Sequence, residues 1–289
     1  MTERIDAHHH VWDLAVRDQP WMTGDAVDPL RRSFAIDEFV AQAQANGVGS
    51  SVVVQAVADV AETEELLDLA ATRPEVVGVV GWVDLAAADV GERLDRLLAR
   101  PSGRWLVGIR SLVQYEPDPT WLARPAVLDG LREVAARGLV NELLIAPHQL
   151  EAVVAAVSDV GESRFVLDHL GKPAIAAVTW EPWATDLTAV AQCGNVSAKI
   201  SGLVTEADWS AWTADDVCPY LDHALSVFGP DRLLFGSDWP VCTLAASYER
   251  VVELAETFVG GLSAGDRAAV LGGNAAAIYS LHRSRREAP

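Results

Sequence analysis

Four side chains in this sequence are placed for metal or carbonyl chemistry: His8, His10, His169 and Asp238. The first two sit in Asp6-Ala7-His8-His9-His10-Val11-Trp12, at the end of the chain's first strand-like segment. On an extended backbone residues i and i+2 share a side, so His8 and His10 project together while His9 faces away. Two imidazoles so paired can ligate a metal or clamp a carbonyl oxygen; His9 is expected to be structural. Phe165-Val166-Leu167-Asp168-His169-Leu170-Gly171 turns abruptly from apolar to acid, base and turn. There Asp168 could orient an imidazole or cap the turn. Leu233-Leu234-Phe235-Gly236-Ser237-Asp238-Trp239-Pro240 places a carboxylate after another apolar run. Such a carboxylate suits a general base that takes a proton from water and returns it to a leaving alkoxide. If a metal is present, Asp238 can also be a ligand. In isolation a lone histidine is ordinarily a packed residue, and a Ser-Asp pair an ordinary turn or N-cap. The recurrence of equivalent strand-end positions weighs against that.

Weaker candidates occupy similar places. Arg110 closes Gly108-Ile109-Arg110 and could hold a carboxylate or a lactone oxygen bidentately. Gln55 and Trp82 end two further apolar runs and are candidate substrate contacts. Lys199, within Ser197-Ala198-Lys199-Ile200-Ser201, is expected to face the mouth of the fold. His148, after Pro147, could meet a sugar hydroxyl. His223 and His282 fall in helical stretches and read as structural.

The elements that must position these residues follow one rhythm. Short apolar runs at Arg4–Asp6, Ser51–Gln55, Val76–Val83, Leu106–Ser111, Leu139–Ala146, Arg164–Asp168, Val196–Ile200 and Leu233–Phe235 alternate with segments of helical period. In one such segment Val90, Leu94, Leu97 and Leu98 fall on a single face. Asn46-Gly47, Arg137-Gly138 and Cys193-Gly194 stop helices just before the next run. Continuous apolar strands between helices imply a parallel sheet covered on its outside. Eight units fit a closed (β/α)₈ TIM barrel better than an open sheet, and histidines stand where a dinucleotide-binding fold carries its glycine-rich turn. No linker, charge shift or short repeat divides the chain, so residues 1–289 read as one domain with a polar, frayed tail at 283–289.

Composition narrows the partners. The formal net charge of −19 repels phosphate backbones and anionic lipid, so neither nucleic acid nor membrane is expected. A small anionic substrate stays open, because a pocket sets its own potential. The longest apolar runs are far shorter than the roughly 20 residues of a membrane span. No charged segment followed by an apolar one opens the chain, so no secretory signal is expected. Cys193, Cys218 and Cys242 are odd in number and widely spaced, which suits reduced thiols in the cytoplasm.

Taken together and in order, these segments resemble the amidohydrolase superfamily, and within it the branch of sugar-acid lactonases. The Asp6–Trp12 segment is similar to that branch's opening Asp-x-His-x-His-x-Trp motif. Val80–Asp84, Gly108–Arg110, Asp168–Pro173, Lys199–Leu203 and Phe235–Pro240 are similar to its later blocks. The resemblance implies a barrel whose site is lined by His8, His10, His169 and Asp238. It also implies hydrolysis of a lactone such as L-fucono-, L-galactono- or L-rhamnonolactone. Binuclear members carry a carboxylated lysine on the fourth strand and a histidine on the fifth. Here those places hold Arg110 and at most His148, so two metals are not expected. One Zn²⁺ on His8, His10 and Asp238, with or without His169, is feasible, and some members of the branch work without metal. Oligomeric state is not legible.

The expected reaction is attack of an Asp238-activated water on an aldonolactone, with the histidines polarising the carbonyl and Arg110 with aromatic residues positioning the ring. A lactone is already an activated acyl group, and none of the cysteines lies in a strand-end cluster with a base. Two alternatives differ in kind. A Zn²⁺-dependent decarboxylase of an aromatic or enoic acid would share the barrel and the His-x-His start but would lose all activity to a chelator. A catalytically silent sugar-acid binding protein would hold lactones without turnover.

Overall fold

The eight apolar runs become eight parallel strands whose spatial order is their chain order. A computed structural model describes residues 4–281, and places β1 at Ile5–His9, β2 at Ser50–Val54, β3 at Val76–Gly81 and β4 at Leu106–Ser111. β5 follows at Val140–Leu143, β6 at Phe165–Leu167, β7 at Val196–Ile200 and β8 at Leu233–Phe235. Beyond β8, the His10 N–H donates to the Trp239 carbonyl and the Asp238 N–H to the His8 carbonyl, both at 2.7 Å. Those two bonds join the last strand to the first and close the expected (β/α)₈ barrel.

Helices α1 (Ile36–Ala45), α2 (Val60–Thr72), α3 (Val90–Leu98) and α4 (Pro125–Ala136) cover the first half. The second half carries α5 (Leu150–Asp159), α6 (Trp183–Ala191), α7 (Ala214–Phe228) and α8 (Tyr248–Val259). Each buries one stripe. In α3 the stripe is Val90, Leu94 and Leu97, while Arg93 and Arg96 pair with Asp89 outside. Caps set their starts: the Ser247 hydroxyl accepts from Arg250 N–H before α8, and Asp216 takes the Thr213 N–H at 2.7 Å before α7. Two short helices, α9 (Ala264–Ala268) and α10 (Asn274–Ile278), follow α8 and are absent from the sequence expectation. His282 and the tail expected to fray lie outside the described residues.

Apolar burial divides into two clusters. The larger joins the outward strand faces to the helices, with Val53, Phe39 and Leu66 among its members. The smaller lies within the barrel: Val52, Val54, Val80, Val140, Val166 and Leu234 meet Ala275, Ala276, Tyr279 and Leu281 of the C-terminal segment. Strand side chains alternate, so two residues beyond Val140 and Val166 come Glu142 and Asp168, which with Lys199 form a polar layer on the same inner face. Polar groups thus sit above an apolar plug.

Two strands end three residues from their expected limits. β1 does not stop at Asp6 but runs through the histidines to His9, and its register against β2 slips between Asp6 and His9. Such a bulge re-aims side chains. Asp6 meets Tyr248 of α8 through its carboxylate, whereas Ala7 joins the interior cluster. β5 is only Val140–Leu143, because the chain beyond it leaves for the short turn at Pro147–Gln149.

Candidate active site

At the C-terminal mouth, β1 and β8 present three donors to one point. His8 Nε2 and His10 Nε2 lie 3.2 Å apart, and Asp238 Oδ1 is 3.6 Å from the first and 3.5 Å from the second. His169 Nε2 approaches the same carboxylate oxygen at 4.0 Å. All four residues are buried. The cleft above them spans about 530 Å³ to its open mouth and is walled by Trp21, Leu112, Gln114, Tyr115, Leu144, Lys172 and Thr205. That is the size of a small-molecule site.

The local backbone is shaped for this convergence. His169 has φ 54° and Asp238 φ 59°, left-handed values that non-glycine residues seldom adopt. The turn at His169 lets two consecutive residues, Asp168 and His169, both reach the barrel interior. Close approach requires glycine at two places. A Cβ on Gly202 would lie 2.5 Å from His169 Nδ1, and one on Gly236 would lie 2.6 Å from His8 Cβ. Asp6 fastens the two ligand-bearing strands, accepting the His8 N–H at 3.1 Å and the Ser237 N–H at 2.9 Å. Burial raises its carboxyl to about 6 against those bonds.

Second partners orient each ring. His10 Nδ1 lies 2.7 Å from the Val54 carbonyl, which can only accept, so Nδ1 carries the proton and Nε2 offers a lone pair. His169 Nδ1 is held by Ser201 Oγ at 2.9 Å. His8 Nδ1 faces Asp168 Oδ1 at 3.3 Å and Lys199 Nζ at 3.1 Å. Burial pushes the His8 imidazolium well below its ordinary range, against the pull of Asp168. Burial likewise lowers His169, to about 4, although Asp238 and Asp168 oppose it. For Asp238 burial acts upward, but the imidazoles of His169 and His10 outweigh it and hold the carboxyl below its usual value. At neutral pH the His8 and His169 imidazoles beside this ionised carboxylate are therefore neutral.

The donors fit a single zinc ion. His8, His10 and Asp238 each offer one atom within a 4.8 Å group. Edges of 3.2 to 3.6 Å match the roughly 3.3 Å between tetrahedral donors placed about 2.0–2.1 Å from one centre. The second triplet, His8, Asp168 and His169, is less apt, because Asp168 is already engaged by Arg110 at 3.2 Å and Lys199 at 3.3 Å.

The remaining sequence candidates scatter. Arg110 reaches the cleft, with its guanidinium on the Gln55 carbonyl, on Asp168 and 3.4 Å from His8 Nε2. Gln55 is fully buried below the cleft, donating to the Arg110 carbonyl at 3.4 Å. Lys199 is not at the mouth. It lies one layer beneath, fully buried, because Glu142 at 2.5 Å and Asp168 hold its ammonium there. Trp82 is half-buried and His148 exposed, and neither walls the cleft. His9 faces out, stacked 3.7 Å from the Phe39 ring with Nε2 on Ser51, as alternation requires. Glu142, Ser201, Gln114 and Thr205 went unnoticed in the sequence. Glu142 had one signal, a lone acid inside the apolar run Leu139-Val140-Asn141-Glu142-Leu143-Leu144.

Comparison with known proteins shows the family. The amidohydrolase family model matches residues 5–281, from the first strand to the end of the described chain. The chain belongs to the amidohydrolase family. Within the family it is 39% identical to an L-fucono-1,5-lactonase of Burkholderia multivorans, with 96% of each chain covered. It is 34% identical to an L-fucono-1,5-lactonase of Burkholderia ambifaria, over 98% of this chain and 97% of that one. A crystal structure of a Burkholderia multivorans amidohydrolase with bound zinc superposes with a TM-score of 0.90 at 38% identity, covering 96% of this chain and 99% of the other.

Proposed function

We propose that this amidohydrolase opens a neutral sugar-acid lactone to the free aldonate by an activated water, with Asp238 as general base. The observation that carries the reading is the convergence of three buried imidazoles on one ionised, buried carboxylate at the floor of an open cleft. The full-length similarity to two L-fucono-1,5-lactonases supports the same reaction.

Asp238 takes the proton of the attacking water and returns it to the ring oxygen as that oxygen leaves. His169 Nε2 lies beside the carboxylate and stabilises its ionised form, while Ser201 keeps the ring turned to the cleft. His10 offers an Nε2 lone pair, which accepts where an oxyanion would need a donor. With His8 Nε2 3.2 Å and Asp238 Oδ1 3.5 Å away, that atom suits a cation better than a direct clamp on a carbonyl, and His8, His10 and Asp238 would hold it. Bound there, zinc would supply a Lewis acid to the lactone carbonyl.

The cleft also selects against anionic lactones. Arg110 is already paired with Asp168, and Lys172 with Glu206 at 3.3 Å. What remains for substrate is Gln114, Thr205 and the Trp21 face, a wall suited to hydroxyls and a sugar ring. Among the described residues no helix is long and apolar enough to cross a membrane. The three free cysteines support a reducing compartment such as the cytoplasm.

The test is a panel of L-fucono-, L-galactono- and L-rhamnonolactone beside carboxylated lactones, assayed by proton release with added zinc and after chelation. Turnover of the neutral sugars, reduced by chelator and restored by zinc, is expected. Turnover confined to the carboxylated lactones would overturn the substrate class. Full activity after verified metal removal would overturn the role of His8, His10 and Asp238 as ligands.

A further inference from the structure

A second cavity lies between the β1–α1 loop, the start of α1 and one face of α2. It spans about 860 Å³ to its open mouth, against about 530 Å³ for the catalytic cleft, and shares no lining residue with it. Val11, Trp12, Phe34, Ile36, Leu66 and Leu69 make its wall largely apolar. A concave, mostly apolar space with a few polar groups is the usual form of a small-molecule site.

Two buried polar residues stand in that wall with bonding capacity unused. Gln19 is 3% exposed. The Trp21 indole N–H can only donate, and it gives its proton to Gln19 Oε1 at 2.9 Å, which fixes the two ends of the amide. Gln19 Nε2 is left without an acceptor. A buried donor in that state is costly to a fold. Glu62 is 4% exposed. Its Oε2 accepts the Ala56 and Val57 N–H groups, each at 3.0 Å, while Oε1 accepts from none of the described residues. Burial raises this carboxyl to about 7, and in either protonation state it keeps an acceptor. The wall holds no free cation, because Arg17 is bound to Asp59 at 2.7 Å and to Glu65 at 2.8 Å.

We propose that this side cavity is a second ligand site, for a small neutral molecule with an apolar body and a carboxamide end. A carboxamide offers what both residues lack: a carbonyl oxygen for Gln19 Nε2 and N–H donors for Glu62 Oε1. An anion would meet Glu62 and Asp13, and a cation would meet the Gln19 donor and Arg17. The site is also joined to the cleft by two walls. Gln19 holds Trp21, and Glu62 holds the amide of Ala56; both Trp21 and Ala56 line the cleft. Trp12 of the side cavity meets Trp21 edge to face, with ring centroids 5.7 Å apart. A ligand that fixes Gln19 and Glu62 therefore fixes one side of the cleft, and by linkage each site strengthens binding at the other. Binding in the cavity does not depend on the lactonase reading; its kinetic consequence does.

The experiment titrates the whole protein by ¹⁹F NMR with 4-fluorobenzamide, beside 4-fluorobenzoate, 4-fluorobenzylammonium and fluorobenzene. The amide is expected to bind with a Kd of about 1 mM or tighter, and the other three about tenfold more weakly. Leu69→Trp fills the cavity, and Gln19→Met keeps the side-chain length but removes the amide. Each should weaken 4-fluorobenzamide about tenfold, and the second variant decides if the first does not fold. In lactone assays saturating amide should lower KM about fivefold, at the low end of typical couplings, with kcat within about twofold. No binding of the amide, binding no tighter than that of fluorobenzene or either ion, or binding unchanged in the folded variants would overturn the proposal. An unchanged KM would overturn the coupling, and a competitive rise in KM would place the amide in the catalytic cleft and overturn the second site. Absence of lactone turnover in wild type would refute the lactonase reading instead, and leave the ¹⁹F titrations to decide this one.

Discussion

The mouth of the barrel and the layer directly beneath it are both crowded with ionisable groups, yet they are built on opposite principles. At the mouth, His8, His10, His169 and Asp238 are short side chains at strand ends, aimed at one point and opening to a cleft. One step down, Glu142, Asp168 and Lys199 point at each other and leave no face open. The mouth keeps unused bonding capacity, and the layer below consumes its own. The difference teaches that burial and charge alone do not mark a reacting group. What marks it is a partner set that leaves one atom free toward a cavity.

Substitutions should separate the two regions. Replacing Asp238 with Asn removes the base and should lower kcat by about three orders of magnitude, with little change in the urea midpoint. Undiminished proton release from the lactone would break the assignment. Lys199→Met should act the other way round. It leaves Glu142 and Asp168 buried without their cation, and should destabilise the fold by about 3–5 kcal/mol. A urea transition superimposable on wild type would show that the lower layer is not the tight ionic unit described.

The pH dependence sharpens the contrast further. His169 is held to about 4 by burial, and Asp238 lies below the usual carboxylate range. kcat/KM should therefore stay level from neutrality down to about pH 5 and fall below about pH 4, where His169 takes up a proton, with protonation of the base Asp238 following at lower pH. For stability the sign runs the same way. The folded pKa of His169 lies below its unfolded value, so the unfolded chain binds more protons between them, and this contribution is lost as pH falls from about 6.5 toward 4. An activity limb centred near 6.5 would mean that His169 titrates as an exposed histidine. The smallest effect belongs to His148→Ala, at an exposed residue outside the cleft wall. Its kinetic constants should move by less than about twofold, and a larger rise in KM would return His148 to the site.

How much of this could be read from the sequence follows the same division. Alternation along an extended strand was enough to put His8 and His10 together and to turn His9 onto Phe39. The order of apolar runs was enough for the barrel, because continuous apolar strands between helices leave few arrangements. Lys199 was misplaced because a long side chain in a strand gives no sign of how far along the axis its charge travels; Glu142, two strands away, decides that. Trp82 and His148 end at plausible strand ends, but whether a side chain leans into the cleft depends on loop path. The bulge in β1 was invisible, since it appears only when Asp6 and His9 are matched against β2.

The closing bonds between β1 and β8 carry one more consequence. The zinc-fitting donors come from residues 8, 10 and 238, and they meet only where Asp6 ties the His8 and Ser237 amides together. Nearly the whole chain must be synthesised and wound before the first and last strands touch. Contacts of such long sequence separation are costly to form early. A chain that stops short of Asp238 thus owns no half-active centre: reactivity arrives all at once, with the seam.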